Sequence, residues 1–331
     1  MSTTLYNPFK TFSFDRNTCF LSGAPLQSSE EEITVFPSWL MQTYDLEEKP
    51  FKLLDESITV YKKLKVPCST AVANQLESLE ETVKTAFNEG YAAVQQLDKL
   101  LLFQWIGKML YGMIFHEIHI GIRQQLMTGE PMNFSLALAK KFTNLHYMLQ
   151  SAIRPIEFEA VLPFSIHVFE IDSDQDSFTY RDEINTLVFS LRMKNVGIIA
   201  CLQDNGANTR YHAEKLALLQ GKKLHPIQFE EVCGLFFYSA YLFNRLPEYT
   251  ILPTDDMIYL EPMPLTGMDS RPIFDPFQVK TYGQVLEQFW KPWGYTLFEI
   301  IKDPEHPMTF LVDEQGQFRE SKSISLADKP L

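Results

Sequence analysis

The sequence predicts an α+β protein, from three observations: helical periodicity over residues 70–152, strand-like alternation between 165 and 202, and a return to helical spacing after 211. With 331 residues, 45% of them apolar, the chain is long enough to bury a sizeable core. Three regions are expected. Residues 1–90 read as an irregular module closed by a helix, 91–155 as a helical region, and 156–331 as an α+β region ending in a polar C-terminal tail.

Up to Pro67 the chain mixes aromatic and polar residues, with Gly23 and Pro25 as punctuation, and reads as short strands and loops. Between Thr70 and Gly90, Leu76, Leu79, Val83 and Phe87 recur at three- and four-residue spacing, which predicts an amphipathic helix. The segment Val94 to Leu126 keeps that rhythm through Leu97, Leu101, Trp105, Lys108, Tyr111 and Phe115 with few breakers, and reads as a buried central helix. Another helix is expected from Phe134 to Ala152, with Leu138, Phe142, Leu145 and Leu149 as its stripe.

Strands are expected at 165–170, 186–191 and 197–202, where β-branched and aromatic residues alternate between polar turns, and together they predict a small antiparallel sheet. Helices follow at Tyr211 to Gln220 and Ile227 to Asn244, then an extended Pro-rich stretch, a helix near Tyr282 to Lys291 and a closing strand at Met308 to Val312. The tail from Gln315 is expected to be mobile.

Charge and cysteine usage narrow the partners. The formal charge is -13, with no basic cluster larger than Lys62-Lys63-Leu64-Lys65, so a nucleic-acid partner is disfavoured. No apolar run reaches the ~20 residues that cross a bilayer, and Met1 to Arg16 lacks the basic start and continuous apolar stretch of a secretory signal, so export by that route is not expected. Cys19, Cys68, Cys201 and Cys233 lie far apart, without the dense spacing of a disulfide framework, so a cytoplasmic location is expected.

Four pieces of the first half carry a family likeness: Cys19-Phe20-Leu21-Ser22-Gly23, then Glu32-Ile33-Thr34-Val35-Phe36-Pro37-Ser38-Trp39-Leu40, then Val66-Pro67-Cys68-Ser69-Thr70-Ala71-Val72-Ala73-Asn74, and Leu76-Glu77-Ser78-Leu79-Glu80-Glu81 at the start of a closing helix. The stretch resembles the treble-clef module of HNH-endonuclease-like proteins, in which Cys-x-x-Cys-Gly, Glu-His-Val-Phe-Pro-x-Trp-Leu and Pro-x-Cys-x-x-Cys-Asn occur in that order. The likeness extends more loosely to Trp105-Ile106-Gly107-Lys108-Met109-Leu110-Tyr111-Gly112. It implies a degenerate module, since Ser22 stands where the second knuckle cysteine belongs, Thr34 where the catalytic histidine belongs and Ala71 where the last cysteine belongs. A structural zinc takes four soft or imidazole ligands. Cys19 and Cys68 alone leave half that sphere empty, and threonine cannot act as a general base at neutral pH. No cofactor is expected, and the two cysteines read first as buried thiols.

Other constellations are weaker. His116 and His119 are three apart on a helix and share a face, which suits one metal, but Ile120 breaks the His-Glu-x-x-His pattern. The bland alternative is a buried helix whose histidines bond Arg123, Gln124 or nearby carboxylates. Asp172, Asp174 and Asp176 alternate as in a calcium loop, yet the required glycine and glutamate are missing, and an acidic hairpin loop explains them. No Gly-rich phosphate loop or Gly-x-Ser-x-Gly elbow occurs. The turn Asp204-Asn205-Gly206-Ala207-Asn208 is expected at the surface and, with Arg210 and His212, forms a candidate pocket rim. The aromatic residues of 229–243 and 289–295 read as core, with a protein-binding surface as the alternative.

The sequence therefore predicts a non-catalytic binding or assembly protein on a metal-free HNH-like scaffold, with a protein as its possible partner. Two rivals stand beside it: a metal-dependent nuclease or hydrolase using His116, His119 and a carboxylate, and a small-molecule sensor with its ligand between the helical middle and the sheet.

Overall fold

The computed structural model describes residues 4–12, 14–27, 31–129, 134–173, 175–267 and 270–326. The class is α+β, with long helices and small sheets. The chain forms two compact units: the first contains 1–88, 97–163 and 246–263, and the second 89–96, 164–245 and 264–331. The first unit so joins most of the stretches read above as 1–90 and 91–155. Among the described residues no helix is long and apolar enough to cross a membrane.

The first unit is organised by the helix Lys99–Thr128. Asp98 caps its start by accepting from the Leu100 amide at 2.7 Å, and Gly129, at φ 75°, ends it in the left-handed conformation that glycine adopts without steric cost. Residues Leu102 to Phe115 are buried on every side of this helix, so it forms the core rather than covering it. The helix Leu136–Leu149 packs on it where Gly107 lets the Leu149 side chain come within 3.2 Å of the position a Cβ would occupy.

Around these helices the first unit carries the antiparallel pair Glu32–Thr34 with Lys65–Pro67, the hairpin Pro50–Lys52 with Ile58–Val60, and the helix Thr70–Glu89. Val72, Leu76, Val83, Ala86 and Phe87 form the buried stripe of that helix, close to the periodicity read from sequence. The Pro-rich stretch contains a hairpin, Tyr249–Pro253 with Ile258–Pro262, which takes Ile156–Phe158 as a parallel third strand. The prolines 253 and 262 sit at strand ends, where a missing amide is tolerated.

The second unit is built on a five-stranded sheet in the order Lys223–Leu224, Ser165–Ile171, Val196–Cys201, Val188–Met193, Thr179–Glu183. All its neighbours are antiparallel except the short strand Lys223–Leu224, which runs parallel to the end of Ser165–Ile171. The strands Val188–Met193 and Val196–Cys201 are buried at every position, and apart from Ser190 and Arg192 their residues are apolar. The helix Pro226–Leu242 lies against this sheet, and Gly197 is the contact point: a Cβ there would stand 2.4 Å from the Phe229 ring. His225 caps the helix, its Nδ1 accepting from the Ile227 amide while the Gln228 side chain accepts from the His225 amide.

Four expectations are corrected. The helix read at 211–220 is two, Ala207–Tyr211 and Ala213–Leu219, because His212 leaves helical geometry with its ring bonded to Ser239. Met308 to Val312 is not a strand, since the Phe310 amide goes to the Glu231 carboxylate and only Val312 bridges, to Phe318. The tail is anchored as far as Leu326: Phe318, Ile324 and Leu326 pack on the core, and Gln228 donates to the Arg319 carbonyl. The acidic loop is no hairpin, because Ser165–Ile171 and Thr179–Glu183 are not neighbours in the sheet. Within it Asp176 accepts from the Lys194 amide, and Asp174 lies outside the described residues.

Candidate functional site: a buried thiol pair and a cavity floored by an acid

The first candidate begins as a tight turn. The Cys19 amide donates to the Ala24 carbonyl at 2.8 Å and the Gly23 amide to the Cys19 carbonyl at 3.0 Å. Gly23 takes φ 73°, and a Cβ there would stand 2.4 Å from the Tyr6 ring, so glycine is required twice over. The Phe20 amide donates to the Pro67 carbonyl and the Cys68 amide to the Glu31 carbonyl, which stitches the turn beside the strand pair. The consequence is that the thiols of Cys19 and Cys68, both free and buried, lie close enough to shift one another's acidity, while the Cys68 thiol donates to the Ser69 carbonyl at 3.6 Å.

The two shifts are opposite in sign. The Cys68 thiol, followed by the Ser22 hydroxyl and the Ser69 and Ser22 backbone, holds the Cys19 thiol down at about 4 against the opposing effect of burial. Its partner Cys68 is pushed up, first by the Cys19 thiol and then by burial. The donor set does not fit a tetrahedral metal: two thiols supply half of the four ligands, and among the described residues no group of three or more His, Cys, Asp or Glu side chains is placed to hold a metal ion.

Beside the pair, Lys108 is buried in the central helix and its ammonium donates to three oxygens: the Thr34 carbonyl at 2.6 Å, the Val35 carbonyl at 2.9 Å and Glu80 Oε1 at 2.8 Å. All three of its protons are used. Thr34 donates its hydroxyl to the Phe36 carbonyl at 2.7 Å. A cleft of about 430 Å³ opens here, lined by Thr34, Trp39, Lys65, Glu77, Glu80 and Lys108 among others. Its charges are largely paired internally, Lys108 with Glu80 and Lys65 with Glu32.

His116 and His119 do share a helix face. His119 donates from Nδ1 to the Phe14 carbonyl at 2.8 Å, and burial followed by the His119 charge moves His116 below its ordinary value. Gln124 is bonded to Asp55 rather than to either histidine. The two histidines belong to no metal-ligating group among the described residues.

The second candidate lies in the second unit. The turn 204–208, expected at the surface, is buried: Asp204, Asn205 and Asn208 are all 3% exposed or less. Asp204 accepts from the Gly206 amide, the Ser165 hydroxyl, and the Asn208 amide and side chain. Burial still raises its carboxyl above the usual range. From Asn208 the network continues through Ser239, which donates to Asn208 Oδ1 at 2.6 Å, to His212, whose Nε2 is 2.8 Å from the Ser239 hydroxyl. Burial lowers His212 to about 4, so its ring is neutral at physiological pH.

His212 lines a cavity of about 650 Å³ whose wall also includes Arg210, Tyr211, Glu231, Phe277, Tyr282 and Met308. None of the lining residues comes from 94–152, the helical middle that sequence reading made one wall of a ligand site. Glu231 is buried in the helix Pro226–Leu242 and accepts from the Thr309 hydroxyl at 2.5 Å and the Phe310 amide at 2.7 Å. Burial outweighs these donors and raises its carboxyl to about 7. Sequence reading found Arg210 and His212 as pocket candidates but missed Glu231 and Tyr282. The only available signal was a pair of glutamates, Glu230 and Glu231, inside a helix apolar on every side.

Comparison of the chain with protein-family models, with curated proteins and with solved structures gives no match.

Proposed function

We propose that this chain is a non-catalytic binding or assembly protein, and that its first unit contains a treble-clef-like module resembling those of HNH-endonuclease-like proteins but held together without metal. The order of a tight cysteine turn, an antiparallel strand pair and a following helix supports the likeness. The observation that carries the metal-free reading is the Cys19–Cys68 pair: two free, buried thiols that influence one another, with Ser22 and Ala71 where the resemblance implies further ligands. The position that would need a general base holds Thr34, whose hydroxyl is committed to the Phe36 carbonyl.

Packing takes over the cohesion a metal would supply. Phe36 and Leu40 are fully buried, Trp39 stacks on Trp105 at 6.4 Å, and Lys108 ties the strand edge to the central helix. Elemental analysis of chelator-washed protein tests the reading, together with incubation on duplex and single-stranded DNA in magnesium and manganese. The expected result is less than a tenth of an equivalent of transition metal and no cleavage. One zinc per chain that disappears in Cys19→Ser and Cys68→Ser, or cleavage that disappears in His119→Ala, overturns it.

A further inference from the structure

The cavity of the second unit has a deep acid that forms no close ion pair among the described residues, its nearest opposite charge being the exposed Lys215 acting at longer range. Glu231 is 3% exposed, and among the described residues no Lys, Arg or His nitrogen lies within ion-pair distance of it. Its neighbour Glu230 on the same helix is answered by Arg181 Nη2 at 3.3 Å, so the contrast is local. The donors that Glu231 does receive, a hydroxyl and backbone amides, stabilise an anion but carry no net charge.

Close to Glu231 stands Tyr282, 5% exposed, whose phenol is raised first by burial and then by the Glu231 charge. Tyr282 packs its ring on Phe277 at 5.2 Å, and both line the cavity. Toward solvent the wall is apolar and uncovered: Tyr211 is 39% exposed, Phe277 42% and Met308 36%. Arg210 and Lys215 also line the cavity, but both are exposed, and Arg210 donates to the Asn205 carbonyl at 3.0 Å.

We propose that this cavity binds an organic ammonium ion, with an apolar, ring-bearing body against Tyr211, Phe277 and Met308 and the positively charged nitrogen between the Glu231 carboxylate and the Tyr282 hydroxyl. Rings and a carboxylate are the two groups that recognise such ions, the ring through its quadrupole and the acid through charge. An anion would meet Glu231 unfavourably, and a neutral ligand would leave its charge unanswered. The proposal does not depend on the thiol-pair reading of the first unit.

Three probes of matched shape test it on the full chain: phenethylamine, phenethyl alcohol and phenylacetate, titrated by calorimetry and thermal shift at about pH 8. The amine is expected to bind about tenfold more tightly than the alcohol, and phenylacetate least. Glu231→Gln removes the preference for the amine, and Tyr282→Phe, which keeps the ring contact with Phe277, weakens amine binding while leaving the alcohol unchanged. Should the Gln variant fail to fold, Tyr282→Phe and a pH series carry the test.

The titratable and charged groups lining the cavity are Arg210, Tyr211, His212, Glu214, Lys215, Glu231 and Tyr282. His212, lowered to about 4, stays neutral between about pH 8 and pH 6, whereas Glu231, raised to about 7, titrates within it, so a loss of amine preference over that interval reports Glu231. Equal binding of the three probes, binding of none, or preference for phenylacetate overturns the proposal.

Discussion

Lys108 in the first unit and Glu231 in the second are each a buried ionisable side chain on a central helix, and they are solved in opposite ways. Lys108 spends all three protons on oxygens of its own unit, one of them the Glu80 carboxylate. Glu231 receives only neutral donors and faces a cavity. A charge answered from within is a structural clamp, whereas a charge left open beside a cavity is a place for something else. The difference assigns cohesion to the first site and recognition to the second.

The sharpest way to break this contrast is to remove Lys108. Lys108→Ala strands two strand-edge carbonyls and Glu80, and it is expected to cost about 3–5 kcal/mol, read as a fall in the denaturation midpoint of the first unit. A loss under about 1 kcal/mol would show the clamp to be idle.

Acidification separates the units next. His146, buried and bonded to the Phe20 carbonyl, is lowered by burial to about 4. The unfolded chain therefore takes the proton first, and up to roughly 3 kcal/mol of stability present above about pH 6.5 is lost as pH falls toward 4. His212 imposes the same loss on the second unit. Glu231 has the opposite sign: raised to about 7, it is protonated first in the folded state, so stability is regained as pH falls from 7 toward the ordinary carboxylate value. Hydrogen exchange compared at about pH 7 and pH 5 should show the helices 99–128 and 136–149 losing more protection than the strands 188–201. Equal losses would contradict it.

Two glycines probe packing rather than charge. Gly197→Ala drives a methyl to 2.4 Å from the Phe229 ring, between buried sheet and helix, and should destabilise the second unit by about 1–3 kcal/mol. Gly112→Ala meets Val35 at 3.0 Å and should cost the first unit less, by urea denaturation of both variants side by side. Smaller still, Cys68→Ala removes one thiol hydrogen bond and should cost about 1 kcal/mol. Lys84→Ala breaks an exposed pair with Glu81 and should stay within about 0.5 kcal/mol, the baseline against which the others are judged.

Legibility in the sequence followed the range of the interaction. The helices 70–89, 99–128 and 226–242 were readable because their stripes, caps and apolar content are local. The strands 249–253 and 258–262 were not, since prolines and half-exposed positions hide the alternation and the partner Ile156–Phe158 lies far along the chain. Cys19 and Cys68 stood out as fragments of two motifs, but nothing local says that their thiols lie close together. The turn 204–208 looked like surface by composition, and only the packing of Ser165 and Ser239 around it makes it core.

By itself the sequence determined the α+β class, the absence of an apolar run long enough to span a bilayer, and the substitutions Ser22, Thr34 and Ala71 at positions where the resemblance implies ligands or a base. These are properties of residue identity and short-range spacing. Tertiary structure decided which polar groups were answered: that Lys108 meets Glu80, that Cys19 lies by Cys68, and that Glu231 forms no close ion pair among the described residues. Whether a buried charge has a partner depends on atoms brought together from distant segments, and spacing along the chain does not encode that distance.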